Sequence, residues 1–331
     1  MTVLILSYAD VQQALQPDEC ERAVAEVLAA RARGEAYNPL RSVMVPPGAR
    51  NFMGLMPAHG AGPHGAFALK AICLVPDNPT RGLDAHQGTV TLFDGETGIP
   101  TAILNASAIT EIRTAAVTAV ATRTLARQDS RVLAILGGGV QARAHLRSLA
   151  DVRPWEEVRI YAPTAEHARS VAAGGAGPGK PAPTVSVTDD PRQAVHRADV
   201  VVTATSSREP VLEHGWLAKG AHVNAVGAST PAARELEVET VAAAALFCDS
   251  RESLRHEAGE FRLAVEQGAI TVEGHEPAEL GEVLAGTRPG RDGPDELTLF
   301  RSLGIGVEDL AAAQVCTERA RARGLGVEVE L

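Results

Sequence analysis

The chain has 331 residues, 45% of them hydrophobic, which is enough to fill two domain cores. Its net charge of −10 speaks against a nucleic-acid partner, since binding phosphates needs a basic face. No apolar run reaches bilayer length and residues 1–7 lack a signal peptide's basic start, so the expectation is a cytoplasmic protein without a membrane partner.

Cys20, Cys73, Cys248 and Cys316 lie far apart, with no Cys-x-x-Cys, so neither a zinc site nor a disulfide framework is expected. The ten histidines show no metal spacing; His59 and His64, five apart among glycines and a proline, suit a loop. Among 31 basic residues only Lys70, Lys180 and Lys219 are lysines, so each invites a reason.

The first elements read as an α+β unit. Ser7 and Asp10 have capping-box spacing ahead of a helix. Pro17 opens a second helix that runs to about Arg33 and ends at Gly34. Strand patterns follow at 41–45, 65–75, 88–93 and 99–105, joined by tight turns such as that at 94–98, which suggests a mostly antiparallel sheet. Residues 109–126 read as one alanine-rich helix. From Arg131 apolar strands alternate with helices, the strands falling at 131–136, 157–162, 184–187, 199–205, 221–226 and 245–249. Such alternation implies a doubly wound parallel sheet of the Rossmann type. The glycine- and proline-rich stretch 172–183 reads as a surface loop with Lys180 solvated. A second alanine-rich helix in the tail is expected to return to the first domain.

The apolar run 132–136 leads into Gly137-Gly138-Gly139-Val140-Gln141-Ala142, the pattern G-x-G-x-x-A. Gly137 permits the tight turn, Gly139 removes a Cβ from the path of a pyrophosphate, and Ala142 lets helix and strand pack closely. Phosphates would then sit at the N-terminus of the following helix, where Gly137, Gly139, Val140 and Gln141 would meet them. The end of the next strand, Ala162-Pro163-Thr164, offers no carboxylate before Glu166. A 2′-phosphate would not be repelled there, and Thr164, His167 or Arg143 would contact it. The rim therefore leans to NADP(H), with NAD(H) as the alternative.

With the segments Phe52-Met53-Gly54-Leu55-Met56-Pro57, Lys70 within its strand, Arg113-Thr114-Ala115-Ala116, the glycine loop, Asn224-Ala225-Val226-Gly227-Ala228-Ser229, Ala278-Glu279-Leu280-Gly281-Glu282 and Ser302-Leu303-Gly304 in this order, the chain resembles the ornithine cyclodeaminase/mu-crystallin family. The resemblance implies a homodimer. It also implies a substrate-binding and dimerisation domain from residues 1–115 and 300–331, a Rossmann domain from 116–299, and an active site in the cleft between them. It places a carboxylate clamp on Arg41, Lys70 and Arg113 and a cofactor phosphate contact on Thr114. Thr203, Val226, Leu303 and Gly304 would line the nicotinamide end, with Leu303 also toward substrate.

Ser229 departs from the family's cyclodeaminases, which carry an aspartate there. A serine without its own activator is no comparable base near neutral pH. That favours reduction of an existing imine, the mu-crystallin type of activity, over ornithine cyclisation, with Ser229 kept as a catalytic candidate. His86 and Gln87 precede a strand near the presumed site and are candidate substrate contacts. Trp216, Asp249 and Glu279 read as structural, and no metal is expected. The leading expectation is NAD(P)H-dependent reduction of a carboxylate-bearing ketimine, a small imino acid. The rivals are an amino-acid cyclodeaminase, an amino-acid dehydrogenase or opine-type synthase, and a non-catalytic small-ligand binder.

Overall fold

The computed structural model describes residues 2–60, 65–174 and 183–331. His64, Lys180 and most of the loop expected at 172–183 lie outside the described residues. The chain begins with β1 (Thr2–Leu6), α1 (Tyr8–Ala14) and α2 (Pro17–Ala32). Six strands follow: β2 (Ala36–Tyr37), β3 (Ser42–Met44), β4 (Phe52–Gly60), β5 (Ala66–Leu74), β6 (His86–Asp94) and β7 (Pro100–Asn105). Helix α3 (Ala106–Leu125) leads into β8 (Val132–Leu136), α4 (Val140–Leu149), β9 (Glu157–Tyr161), α5 (Ala165–Ala173) and β10 (Thr184–Thr188). Then come α6 (Pro191–Val195), β11 (Val200–Thr203), β12 (His222–Ala225), α7 (Val238–Ala243), β13 (Ala245–Cys248), α8 (Arg251–Glu257) and α9 (Gly259–Glu266). The chain closes with β14 (Ala278–Glu279), α10 (Leu280–Leu284), β15 (Thr298–Arg301), α11 (Gly306–Arg323) and β16 (Val327–Glu330).

Two compact units result, one from Met1–Arg113 with Gly304–Leu331, the other from Thr114–Leu303. The first holds an eight-stranded sheet in the order β16-β1-β7-β6-β5-β4-β2, with β3 also on β4. All its pairings are antiparallel except β1 with β7. Ser7 and Asp10 do form the capping box of α1, and Pro17 stands at the first turn of α2.

Strand β4 escaped the sequence reading because Gly54, Pro57 and Gly60 look like breakers. Pro57 is tolerated because it falls between the residues paired to β3 (53–55) and those paired to β2 (59 and 60), where β4 has no outer neighbour. One face of the sheet, with Met56, Ala68, Lys70, Val90 and Leu104, is buried, and α11 packs on β4, β5 and β6. Gly306 starts α11 because a Cβ there would lie 2.8 Å from the carbonyl oxygen of Pro57. A bulkier residue would lift the helix off the sheet.

The second unit is a parallel sheet in the order β10-β9-β8-β11-β12-β15-β13-β14. Apolar clusters cover both faces. Leu133, Ile135, Val158 and Val200 pack with Leu146 and Leu149 of α4. Ala134, Leu136, Val201, Val223 and Leu299 pack with Leu254 and Phe261. This is the doubly wound arrangement that continuous apolar strands require.

Strand β15 corrects the expected boundary. Residues 300–303 were expected in the first domain, yet β15 inserts between β12 and β13 and the second unit runs to Leu303. Four residues carry too little periodicity to reveal a strand whose partners lie more than fifty positions away. At the other boundary the units divide after Arg113, two residues before the expected position.

Arg153 closes the end of α3. It is 6% exposed and donates to the carbonyls of Thr122, Arg123, Ala126, Arg127 and Val152. These include carbonyls that a helix end leaves without partners. Arg153→Met should therefore lower the unfolding free energy by about 3 kcal/mol, read from urea denaturation, because several buried acceptors lose a charged donor together.

Candidate functional site

Each unit assembles a cluster of its own. In the first, Lys70 points from interior strand β5 into the buried face and is 2% exposed. It is not the solvent-facing edge lysine that an apolar strand could also have carried. Its Nζ donates to Oδ1 of Asp309 at 3.1 Å. Arg113 donates from Nε to the same oxygen at 3.0 Å and from Nη1 to Glu308 Oε2 at 3.0 Å. Arg41 donates through Nη2 to the carbonyl of Gly304 at 2.7 Å. Gly304 has φ +75, and a Cβ there would come within 2.7 Å of the Arg113 guanidinium nitrogens. Only glycine fits that backbone and that approach. Gly304, read from the sequence as a cofactor contact, thus has its place beside the cations.

Glu308 and Asp309 open α11, where the helix dipole favours negative charge, and both are fully buried. They are what allows Lys70 and Arg113 to be buried together. Burial pushes the Lys70 pKa down to about 8; the Asp309 charge opposes this, and the charges of Arg113 and Arg41 add to it. Burial alone would raise the Asp309 carboxyl, but the charges and hydrogen bonds of Lys70 and Arg113 win and hold it low. Sequence reading missed both acids. The available signal was two adjacent carboxylates inside an otherwise apolar and alanine-rich stretch, 303–313.

In the second unit the candidates gather at the C-terminal ends of the parallel strands, where such sheets bind ligands. Gly137 has φ +150, and a Cβ there would press within 2.5 Å of the Ala204 carbonyl oxygen. A Cβ on Gly138 would strike the Cβ atoms of His167 and Ala162, whereas Gly139 faces open space. Gly139 is the N-cap of α4 without a side-chain cap, and the first turn holds no acid. The helix therefore presents N–H groups to an anion with no carboxylate in competition, which fits a dinucleotide phosphate. Val140 is exposed and Gln141 half-buried at this turn, and Thr164 is the exposed N-cap of α5.

Thr203, at the end of β11, is fully buried and donates its hydroxyl to Glu235 at 3.0 Å, which braces the loop that follows. Val226 and Leu303 are nearly covered, Thr114 is buried, and Ser229 is exposed on the loop after β12. In the first unit His86 and Gln87 are exposed at the start of β6, with Gln87 donating to the Asp84 carbonyl at 2.9 Å. Asp249 accepts from the backbone N–H of Leu303 at 2.7 Å, and Glu279 caps α10, both structural roles. Among the described residues no group of three or more His, Cys, Asp or Glu side chains could hold a metal.

The sequence model of the ornithine cyclodeaminase/mu-crystallin family matches residues 1–324. The chain belongs to that family. It is 38% identical to the ketimine reductase mu-crystallin of Mus musculus over 282 residues, 85% of each chain. The fold matches the Δ1-pyrroline-2-carboxylate reductase of Thermococcus litoralis, solved with NADH and L-proline, at TM-score 0.92 and 34% identity, covering 99% of this chain and 100% of that one. An archaeal alanine dehydrogenase dimer with bound NAD matches at TM-score 0.92 and 34% identity over 100% of both chains.

Replacing Asp309 by Asn would leave two buried cations short of their shared carboxylate. The expected cost is about 3 kcal/mol in urea unfolding, larger than for Lys70→Met, which leaves Asp309 its pairing with Arg113.

Proposed function

We propose that this family member is an NAD(P)H-dependent oxidoreductase acting on C–N bonds, which reduces a small ketimine bearing one carboxylate to the amino acid. The observation that carries this reading is the cluster of Arg41, Lys70 and Arg113 around Glu308 and Asp309. Guanidinium and ammonium groups gathered at one place are the chemical complement of a substrate carboxylate. The named relatives reduce ketimines or pyrroline-2-carboxylate, or are dehydrogenases of an amino acid.

Reduced nicotinamide, when bound, supplies a hydride to the imine carbon. Arg41 and Arg113 hold the carboxylate by charge-assisted hydrogen bonds, which fixes the orientation of the neighbouring C=N. Lys70, with its pKa near 8, is poised to give a proton to the imine nitrogen near neutral pH. Ser229, where cyclodeaminases of the family carry aspartate, disfavours cyclodeamination. The alanine dehydrogenase relative favours a second reading, oxidation of an amino acid on the same scaffold.

The rim after β9 carries no carboxylate before Glu166, so our reading is that NADPH serves at least as well as NADH. Following cofactor absorbance with both nucleotides against a panel of cyclic and linear imino acids tests this. The expected result is turnover of monocarboxylate imines with either cofactor; turnover only of free amino acids, or release of ammonia from ornithine, would replace this reading. Lys70→Met should lower kcat/KM about a hundredfold or more. In the unaltered enzyme Lys70 is cationic below about pH 8 and neutral above it. The kcat and kcat/KM for the imino acid should therefore stay flat up to that pH and fall beyond it.

We further propose that the chain works as a homodimer, as the archaeal relative is a dimer. The sheet face opposite α11 lines up Ile5, Ile103, Thr91, Leu69 and Pro57 in one row, with Phe67 and Ile5 exposed by 46% and 39%. An apolar sheet face of this kind suits a second copy. Phe67→Glu leaves the buried core untouched and should shift the sedimentation coefficient toward the monomer.

A further inference from the structure

Glu235 lies between β12 and α7 and is fully buried. Its Oε1 accepts from the backbone N–H of Thr205 at 2.7 Å and from the Thr205 hydroxyl at 2.8 Å. Its Oε2 accepts from the Thr203 hydroxyl at 3.0 Å and from the backbone N–H groups of Gly227 at 2.7 Å and Ala228 at 3.3 Å. One side chain thereby fastens the ends of two neighbouring parallel strands, β11 and β12, to each other. Burial raises the Glu235 pKa, and the N–H and hydroxyl donors on its two oxygens, with the charge of Arg301, oppose that rise. Gly227 belongs to the same arrangement, because a Cβ there would collide with the Thr205 backbone.

The loop after β12 is also held from its carbonyl side. Arg301 donates from Nη1 to the carbonyls of Ala225 at 3.0 Å and Ser302 at 2.9 Å. Its Nη2 donates to the Ala228 carbonyl and its Nε to Glu260. In this stretch the N–H groups of Gly227 and Ala228 are tied to Glu235 and the carbonyls of Ala225 and Ala228 are tied to Arg301. Neither charged residue is in the glycine loop, and neither bonds to it directly; that loop meets the held segment only where Gly137 lies against the Ala204 carbonyl.

We propose that Glu235 is a positioning residue that sets the loops at 203–205 and 226–229 as the seat for the nicotinamide half of the dinucleotide, and that it acts on the phosphate seat at 137–139 far less. This rests on the dinucleotide-binding part of the proposed function and does not depend on the imine. Ligands bind beyond the carboxyl ends of such strands, and the seat for a flat ring needs loops that do not shift when it arrives.

The test compares two ligands on the full-length chain by calorimetric titration: NADH, and ADP-ribose, which shares everything with it except the nicotinamide. Glu235→Gln keeps the shape but replaces one acceptor oxygen by a donor that faces N–H groups. The expected result is NADH binding weakened about tenfold, with ADP-ribose binding changed by less than about twofold. Glu235→Asp should recover part of the NADH affinity. Thr205→Val removes a single hydroxyl donor and covers the case in which Glu235→Gln does not fold; it should weaken NADH about threefold and leave ADP-ribose alone. Equal weakening of both ligands, or of neither, overturns the proposal. An unaltered chain that binds neither ligand overturns the dinucleotide reading as well, whereas binding without imine turnover overturns only the substrate assignment.

Discussion

Burying two cations, Lys70 of β5 and Arg113 of α3, is the constraint on which the first unit depends. A lysine or arginine taken out of water costs several kcal/mol unless opposite charge meets it with good geometry. Strand β5 does not carry that charge. It comes from Glu308 and Asp309, almost two hundred residues after Arg113. The C-terminal helix must therefore return to the N-terminal sheet, and Gly306 permits it to come down close enough. Electrostatics and chain topology are one requirement here.

The same network tunes chemistry. A fully buried lysine with no acid beside it would shed its proton, and a lysine saturated by carboxylates would have no affinity left for a substrate. Asp309 is shared between Lys70 and Arg113, which keeps Lys70 in the range where it can be a cation and still give up a proton. The second unit solves a comparable problem with opposite signs. There Glu235 and Arg301 are buried to satisfy loop N–H groups and carbonyls, so that strand ends become a rigid edge. In both units a charge distant in sequence organises residues that a motif search finds easily.

Much of this was legible in the sequence. The glycine loop announced itself because it follows a continuous apolar strand and precedes a helix, and each glycine has a separate steric reason. The parallel sheet followed from the alternation after Arg131, and Lys70 stood out as a lysine in an apolar strand of a chain that prefers arginine. Strand β4 and strand β15 were not legible. One is punctuated by glycine and proline that only its neighbours make harmless, and the other is four residues long with partners far away in the chain. Thr203 was found as a candidate, but its burial and its bond to Glu235 were not.

What the sequence determined by itself is what local rules govern: helix starts, the glycine turn and the alternation of strands and helices after Arg131, since each follows from a few adjacent residues, whereas Arg41 and Arg113 were named by the resemblance to the family. The tertiary structure alone decided which carboxylate neutralises which cation, that Gly304 belongs with the arginines, and that Glu235 joins two strand ends. Those are contacts between residues distant along the chain. Their energies depend on burial and distance, neither of which a linear pattern of residue types carries.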